Sequence, residues 1–485
     1  MPRALLLLPL IALLGACGSA EGDGVVDVAI IGEGKLAEGG LRLDLAGQHL
    51  RAATAQGLVR LDQSGQVVPA IAERWIVTDD GTSYIFRIRE FELPGGERLT
   101  AQAVRDSLRR TVDRLQGTSM GLDLANLRDI RAMTGRVVEI RLNSPMPGLL
   151  QLLAQPEMGI QLGGGAIGPM AGTREGGTVL LSAMPPEQRG LPRQPEWGRN
   201  MSEVGLSAVD ARTATRGFAS GRYDVVLGGS VVDLPLADAG PLSRGTIRLD
   251  SAIGLFGIDI RNDRGFLAET ENREALSMAL DRSALLQPFN IAGWLPTTRF
   301  VAAGLPGAEG TQGERWTELS IEQRSATAAA RVRDWARRNG EVVLRIALPE
   351  GPGSDILLEG LAQQWGVLGI RLVRVTGGGQ ADLALRDRVA RFGGAQWFLN
   401  QFHCSVSRAI CSEDVDFLVE LASDSADPAE SASYLAEAES ALTAFNPFIP
   451  IGAPIRWSMV RADVEGFAEN PWGLHPLFPM SRAPI

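Results

Sequence analysis

At 485 residues the chain exceeds what one hydrophobic core holds, so two or three domains are expected. Its 45% hydrophobic and 21% charged residues are those of an ordinary globular protein and argue against a chain dominated by disorder. A formal charge of −10, with the basic residues scattered rather than gathered into runs, argues against a nucleic-acid surface. Lys35 is the only lysine, every other basic residue being arginine. Guanidinium forks suit anion recognition, but a GC-rich coding bias is the preferred explanation.

The chain opens with Arg3, an apolar run over residues 4–14 and then Leu14-Gly15-Ala16-Cys17, the three parts of an export signal. The run is far shorter than the roughly 20 residues of a spanning helix. Leu14-Gly15-Ala16-Cys17 also resembles the bacterial lipobox, which implies that Cys17 is acylated and anchors the mature protein. Residues 18–24 then form a flexible tether. Residues 25–31 predict a strand, followed by Gly32-Glu33-Gly34-Lys35-Leu36-Ala37, a formal match to the dinucleotide-binding pattern. That pattern needs a helix N-terminus at a pyrophosphate, and Gly39-Gly40 would break the helix at once. No cofactor is expected.

Residues 57–115 predict a compact α/β unit. A short strand, a turn at Ser64-Gly65, a segment from Pro69 carrying Trp75 and an Asp79-Asp80-Gly81 turn lead to a strand over residues 83–89. There Tyr84, Phe86 and Ile88 share one face and Arg87 and Arg89 the other. Thr100 caps a helix striped with Val104, Leu108, Val112 and Leu115. Gly117-Thr118-Ser119-Met120-Gly121 matches a nucleophile-elbow pattern, but that chemistry needs a strand before the serine. Here a helix precedes it, and a helix-ending loop is expected.

Further on, residues 137–142 form a strand and 149–153 a helix; residues 184–199, rich in Pro, Arg and Gly, form a surface loop. A strand over residues 255–260 precedes a helix with Arg273, expected to partner nearby carboxylates. Residues 321–338 are helical. A strand over 342–348, a helix capped by Ser354 and running to Trp365, and a strand over 370–375 make a βαβ signal, with Gly369 closing the helix side. Pro428 starts a helix with Leu435, Ala438 and Leu442 on one face. Cys404 and Cys411 sit seven apart, which in an oxidising compartment favours a disulfide. A metal site with His403 lacks a complete ligand set unless His49 or His475 joins it, and none is expected.

One ordered series stands out: Leu58-Val59, Asp62, Gly65, Pro69, Ile71-Ala72-Glu73-x-Trp75, Asp79-Asp80-Gly81, Tyr84-x-Phe86-x-Ile88-Arg89, Gly95-Gly96, and Leu99-Thr100-Ala101 through Val104. It resembles the signature of bacterial extracytoplasmic solute-binding protein family 5, the peptide- and nickel-type substrate-binding lipoproteins of ABC transporters. Further matches are Gly168-Pro169, Asp224, Arg273 with Ala275-Leu276 and Asp281-Arg282, residues 365–370, and Asn446-Pro447-Phe448-Ile449-Pro450-Ile451. The resemblance places Glu33 and Gly34, at the first strand end, and Gly168, in a segment crossing between lobes, at the solute cleft. It departs after Trp397. Peptide-binding relatives carry Asp-Tyr-x-Asp-Pro there, whose Asp can pair with a peptide's amine; here Phe398-Leu399-Asn400-Gln401-Phe402-His403-Cys404 follows. Losing that acid weakens amine recognition by a few kcal/mol. Asn400, Gln401 and His403 could instead hydrogen-bond a neutral or anionic solute between walls of Trp397 and Phe402, or these aromatics could be core.

The resemblance implies an α/β, two-lobed periplasmic binding protein of class II (Venus-flytrap) with a small subdomain inserted in lobe I. The expected division is signal peptide 1–16, lipidated tether 17–24, lobe I 25–57, inserted subdomain 58–158, lobe I 159–252, lobe II 253–454, and a return to lobe I over 455–485. A monomer, lipid-anchored on the periplasmic or cell-surface side, would close on a small solute such as a peptide and present it to an ABC permease and ATPase complex. No enzyme chemistry is expected. A scaffold or sensor keeping the fold without import is the reading from another class, and a hydrolase using Ser119 is the third.

Overall fold

Asp27 apart, the run Val25–Ile31 (VVDVAII) is apolar on both faces, as suits a strand covered on both sides, and Val28, Ala29 and Ile30 are fully buried. The structure is a computed structural model describing residues 24–33, 36, 40–90, 92–93, 96–162, 165–237, 245–376 and 378–482. Val25–Ile31 pairs in parallel with Glu203–Val209 on one side and Val225–Gly229 on the other. It thereby sits in the middle of a seven-stranded sheet completed by Met170–Glu175, Thr178–Ala183, Ile455–Val460 and Ile247–Ser251. Ile455–Val460, near the chain's end, runs antiparallel between Val225–Gly229 and Ile247–Ser251. The helix Leu45–Thr54, capped by the Asp44 carboxylate on the Gly47 amide, packs on this sheet.

A second sheet of five strands runs Ile370–Val375, Val342–Ala347, Leu383–Val389, Gly254–Ile260, Phe448–Gly452. Val342–Ala347 and Ile370–Val375 are parallel, so the chain between them must cross over, and the helix Pro352–Gly366 does so. Trp365 in that helix is wholly buried and donates its indole N–H to the Leu276 carbonyl. The helix begins before Ser354, contrary to the expected cap. Pro352 supplies a helical φ in the first turn, Gly353 lets the backbone approach the Val231 carbonyl, where a Cβ would lie 1.9 Å away, and Ser354 is buried.

The third unit is an antiparallel sheet of Ala72–Val77, Ser83–Ile88, Val137–Leu142 and Leu127–Met133, with the helix Ala101–Leu115 against it. Tyr84, Phe86 and Ile88 face the core as the alternation requires, and Arg87 pairs on the other face with Glu73 at 2.8 Å. Thr100 caps the helix by accepting from the Ala103 amide. This unit shares an apolar cluster with Phe392, Trp397, Phe398 and Phe402 of the five-stranded region.

Two further expectations need correction. Residues 117–121 are not merely a loop: Thr118 accepts from the Gly121 amide and caps the short helix Ser119–Asp123. Since helix Ala101–Leu115 precedes it, Ser119 is not on a strand-to-helix elbow. Arg273 is structural, but its hydrogen-bond partners are backbone carbonyls and the Thr270 hydroxyl, with Asp263 and Glu271 acting only as nearby charges. Its Nε and Nη2 donate to the Phe445 carbonyl at 3.1 and 2.7 Å, and its Nη1 to that of Leu267 at 2.9 Å.

Candidate functional site

Two adjoining cavities, of about 660 and 740 Å³, lie where the three units meet. Both are lined by Leu43, Ser119, Glu157, Leu385, Arg388 and Arg391, so they are compartments of one cleft. Leu43 precedes helix Leu45–Thr54 beside the first sheet, Ser119 opens the short helix of the third unit, and Leu385 and Arg388 belong to the Leu383–Val389 strand of the second sheet. The smaller compartment adds Gly228, Trp397 and Trp472, and the larger adds Asp259, Arg261 and Arg408.

The cleft wall is unusually charged for a strand. In Leu383–Val389 the side chains of Arg386 and Arg388, two apart, share a face of the pleat. Arg386 is buried, with its Nε 2.7 Å from Asp259 Oδ1 and its guanidinium 4.5 Å above the Phe402 ring. Arg388 lies open to the cleft and donates from Nη1 to the Gln401 side-chain oxygen at 2.6 Å. The surrounding protein, and then the neighbouring charges of Arg386 and Arg391, lower its affinity for its proton. Arg391 reaches Glu157 at 3.3 Å through Nη2, and its Nη1 is buried without a hydrogen-bond partner. Behind this wall lies Asp123, fully buried. Its Oδ1 accepts from the Asn400 amide at 2.9 Å and its Oδ2 has no partner. Burial pushes its carboxyl up to about 7, against the opposing pull of Asn400, Arg391 and Arg388.

The residues singled out from the sequence divide. Trp397 and Gln401 come to the cleft: they lie four apart around the helix Ala395–Asn400 and its C-cap, and the Gln401 amide donates to the Trp397 carbonyl at 3.0 Å. Asn400 is buried beneath, holding Asp123. Phe402 is core, with ring centroids 5.6 Å from both Phe300 and Phe448. His403 lines neither cavity; its Nδ1 meets the Ser405 hydroxyl at 2.9 Å, with Asp416 at 3.6 Å and Glu420 at 3.9 Å. Glu33 is exposed at the end of its strand and lines neither cavity. Gly168 is buried against the helix Leu45–Thr54, where a Cβ would stand 2.2 Å from the Thr54 carbonyl carbon, so its place is a close backbone crossing. Gly34 and Cys17 lie outside the described residues. Cys404 and Cys411 have their Cα atoms 5.2 Å apart and their sulfurs joined.

His49 and His475 lie together elsewhere. The His475 amide donates to His49 Nε2 at 3.4 Å, and His475 Nε2 meets Asp250 Oδ2 at 2.9 Å. Among the described residues no group of three or more His, Cys, Asp or Glu is placed to hold a metal ion, and no helix is long and apolar enough to cross a membrane. The sequence reading missed Arg388, Arg391, Glu157 and Asp123. The available signal was the charge alternation in Leu385-Arg386-Asp387-Arg388, out of place in a sheet covered by helices.

The model for bacterial extracellular solute-binding proteins, family 5 middle, matches residues 66–405. No curated protein sequence matches the chain. Haemophilus influenzae OppA, solved in complex with RPPGFSPFR, superposes with a TM-score of 0.80 at 15% identity, covering 95% of this chain and 99% of that one. The Escherichia coli murein tripeptide binding protein MppA gives 0.78 at 16% identity over 95% and 98%. AgaA from A. tumefaciens R10, in complex with agropinic acid, gives 0.70 at 17% over 95% and 99%. The fold is the two-domain α/β architecture of these periplasmic binding proteins.

Proposed function

Since the chain belongs to the bacterial extracellular solute-binding proteins of family 5, we propose that it captures a solute of about short-peptide size in its cleft and delivers it to an ABC permease and its ATPase. The observation that carries this reading is the cleft itself. Its compartments, about 660 and 740 Å³, fall within the usual range for small-molecule sites, and their walls come from all three structural units, so a bound solute would bridge them. Direct contacts already span the units, including Asn400 to Asp123 and Arg391 to Glu157. A ligand touching both sides favours the closed arrangement by its differential affinity for it.

In this reading, lobe I comprises residues 25–57, 159–252 and 455–485, lobe II residues 253–454, and the inserted subdomain residues 58–158. Cys17 carries the lipid anchor, and the protein acts as a monomer. The fold of OppA was solved with a peptide and that of AgaA with agropinic acid, so likeness alone does not choose between peptide and non-peptide solutes.

The test is thermal denaturation of the full chain with Cys17→Ser against short-peptide pools and, separately, amine-free solutes and metal ions. A ligand at a hundred times its dissociation constant adds about 2.7 kcal/mol, a rise of several degrees. A shift with peptides would support capture for import and show that another acid replaces the one absent after Trp397. A shift with non-peptide solutes alone discards the peptide label. No shift with any pool overturns solute capture and leaves a lipoprotein scaffold or sensor.

A further inference from the structure

The larger compartment of the cleft carries an excess of arginine that the chain as a whole does not, whereas the smaller one sets Glu157, Asp233, Glu350 and Asp387 against Arg388, Arg391 and Arg456. The protein's formal charge is −10, yet the larger compartment is lined by Arg42, Arg261, Arg386, Arg388, Arg391 and Arg408 against only Glu157, Asp259 and Asp387. A coding bias toward arginine explains why these residues are not lysine; it does not explain why they gather in one cavity of an acidic protein. Nor are the three acids free. Glu157 faces Arg391 at 3.3 Å, Asp259 faces Arg386 at 2.7 Å, and Asp387 is bound by Arg456 at 2.8 Å. Among the described residues Arg388, Arg261 and Arg408 form no ion pair.

Arg388 shows how the charge is kept available. Its guanidinium is aimed by a neutral group, the Gln401 side-chain oxygen at 2.6 Å, and Gln401 is itself buried and fixed by its bond to the Trp397 carbonyl. An amide positions a guanidinium without neutralising it, whereas the carboxylate on Arg386, two residues away, does both. A planar donor fork held rigid beside a second arginine suits a carboxylate or phosphate oxygen pair.

We propose that the solute carries an anionic group, a carboxylate or phosphate, and that Arg388, oriented by Gln401 and flanked by Arg391, receives it in the region shared by the two compartments. The proposal rests on the solute-capture reading and adds the class of solute.

The experiment measures dissociation constants for the full chain with Cys17→Ser, at 50 and 300 mM NaCl, for three sets of probes. The anionic set is triglutamate, citrate and glycerol phosphate; the neutral set N-acetyl-trialanine amide and maltose; the cationic set trilysine amide and spermidine. Binding within the anionic set, weakening with salt, and falling tenfold or more in Arg388→Gln is the expected result. Citrate against glycerol phosphate then separates carboxylate from phosphate. Gln401→Glu provides the second variant: it is isosteric and keeps an oxygen for Arg388, but it supplies an internal counter-charge and gives up the donor to the Trp397 carbonyl. A purely structural Arg388 predicts no loss in Gln401→Glu, whereas the proposal predicts a loss comparable to Arg388→Gln. Binding confined to the neutral or cationic set overturns the anionic assignment and leaves solute capture standing. Anion binding unchanged in both variants overturns the role of Arg388. Silence across all three sets overturns solute capture, and this inference with it.

Discussion

Two polar clusters in this protein are built on opposite rules. In one, Asp250, His475, His49 and Asn470 are all buried, and each side chain meets a partner. Asp250 accepts from the Asn470 amide at 2.8 Å and from His475 Nε2 at 2.9 Å, His475 stacks on Phe467 with centroids 4.5 Å apart, and His49 bonds the Leu45 carbonyl at 2.8 Å. In the other, the cleft wall of Arg388, Arg391 and Gln401, donors exceed acceptors and the charge is left uncancelled. Satisfied polar groups hold a fold in one arrangement; unsatisfied ones beside a cavity raise the energy of the empty state and so favour whatever completes them. Stability should therefore reside in the first cluster and affinity in the second.

The largest expected effect follows from Asp250→Ala. Removing the carboxylate leaves a buried His475 N–H and a buried backbone amide without acceptors, which should cost about 3 kcal/mol or more. Urea denaturation at pH 7 should show a lower midpoint with an unchanged slope. A loss under about 1 kcal/mol would mean that the cluster is no more structural than the cleft.

His49 gives the same cluster a pH signature. Burial foremost, then the nearby His475, pulls its pKa down from 6.5 to about 4, against the bond to Leu45. The cause is geometric. His49 Nδ1 donates to the Leu45 carbonyl, so Nε2 must stay unprotonated to accept from the His475 amide. Because the folded pKa lies below the unfolded one, the unfolded chain binds the extra proton first. Stability is then full above about pH 6.5 and is lost as pH falls toward 4, by on the order of 3 kcal/mol. His49→Leu should flatten that limb of the stability curve; an equally steep limb in the variant would assign the loss to other groups.

The Cys404–Cys411 bridge borders the cleft, since the loop it closes carries Ser405 and Arg408 to the larger compartment. Breaking it in Cys404→Ser/Cys411→Ser should lower stability by about 2 kcal/mol, from loop-closure entropy in the unfolded chain. Mobility measured by hydrogen exchange should rise in residues 404–411 and leave the region of Asp250 unchanged.

These contrasts mark what a sequence can disclose. Strands such as Val25–Ile31 and Val137–Leu142 were legible because alternation and apolar runs are local properties, fixed by the pleat. The family was legible for a similar reason, since its signature lies within one contiguous unit, residues 57–104. The cleft was not, because Leu43, Ser119, Glu157 and Arg388 meet only after three units pack. Residues 397–403, which the sequence left open between cleft and core, divide between the two for a simpler cause. Trp397 and Gln401, about one turn apart, reach the cleft, while Asn400 is turned beneath to Asp123 and Phe402, past the helix end, packs against Phe300 and Phe448. The arginine bias looked like coding noise because Arg42, Arg261 and Arg408 join Arg386, Arg388 and Arg391 only in the fold.

The smallest expected stability effect is also the most discriminating. Among the described residues the Arg388 guanidinium is bonded only to the Gln401 amide oxygen, and burial first, then the charges of Arg386 and Arg391, disfavour its own charge. Arg388→Gln removes one hydrogen bond and also relieves like-charge repulsion, so the two contributions oppose each other. The net change should lie within about 0.5 kcal/mol, the range of substitutions away from packed features. Arg386→Gln, two residues along the same strand, leaves Asp259 buried without its partner and should cost roughly 3 kcal/mol or more. Parallel urea titrations of the two variants at pH 7 measure the difference directly. Equal losses would make Arg388 another member of the scaffold, while a stable Arg388→Gln would place its charge where only a ligand can use it.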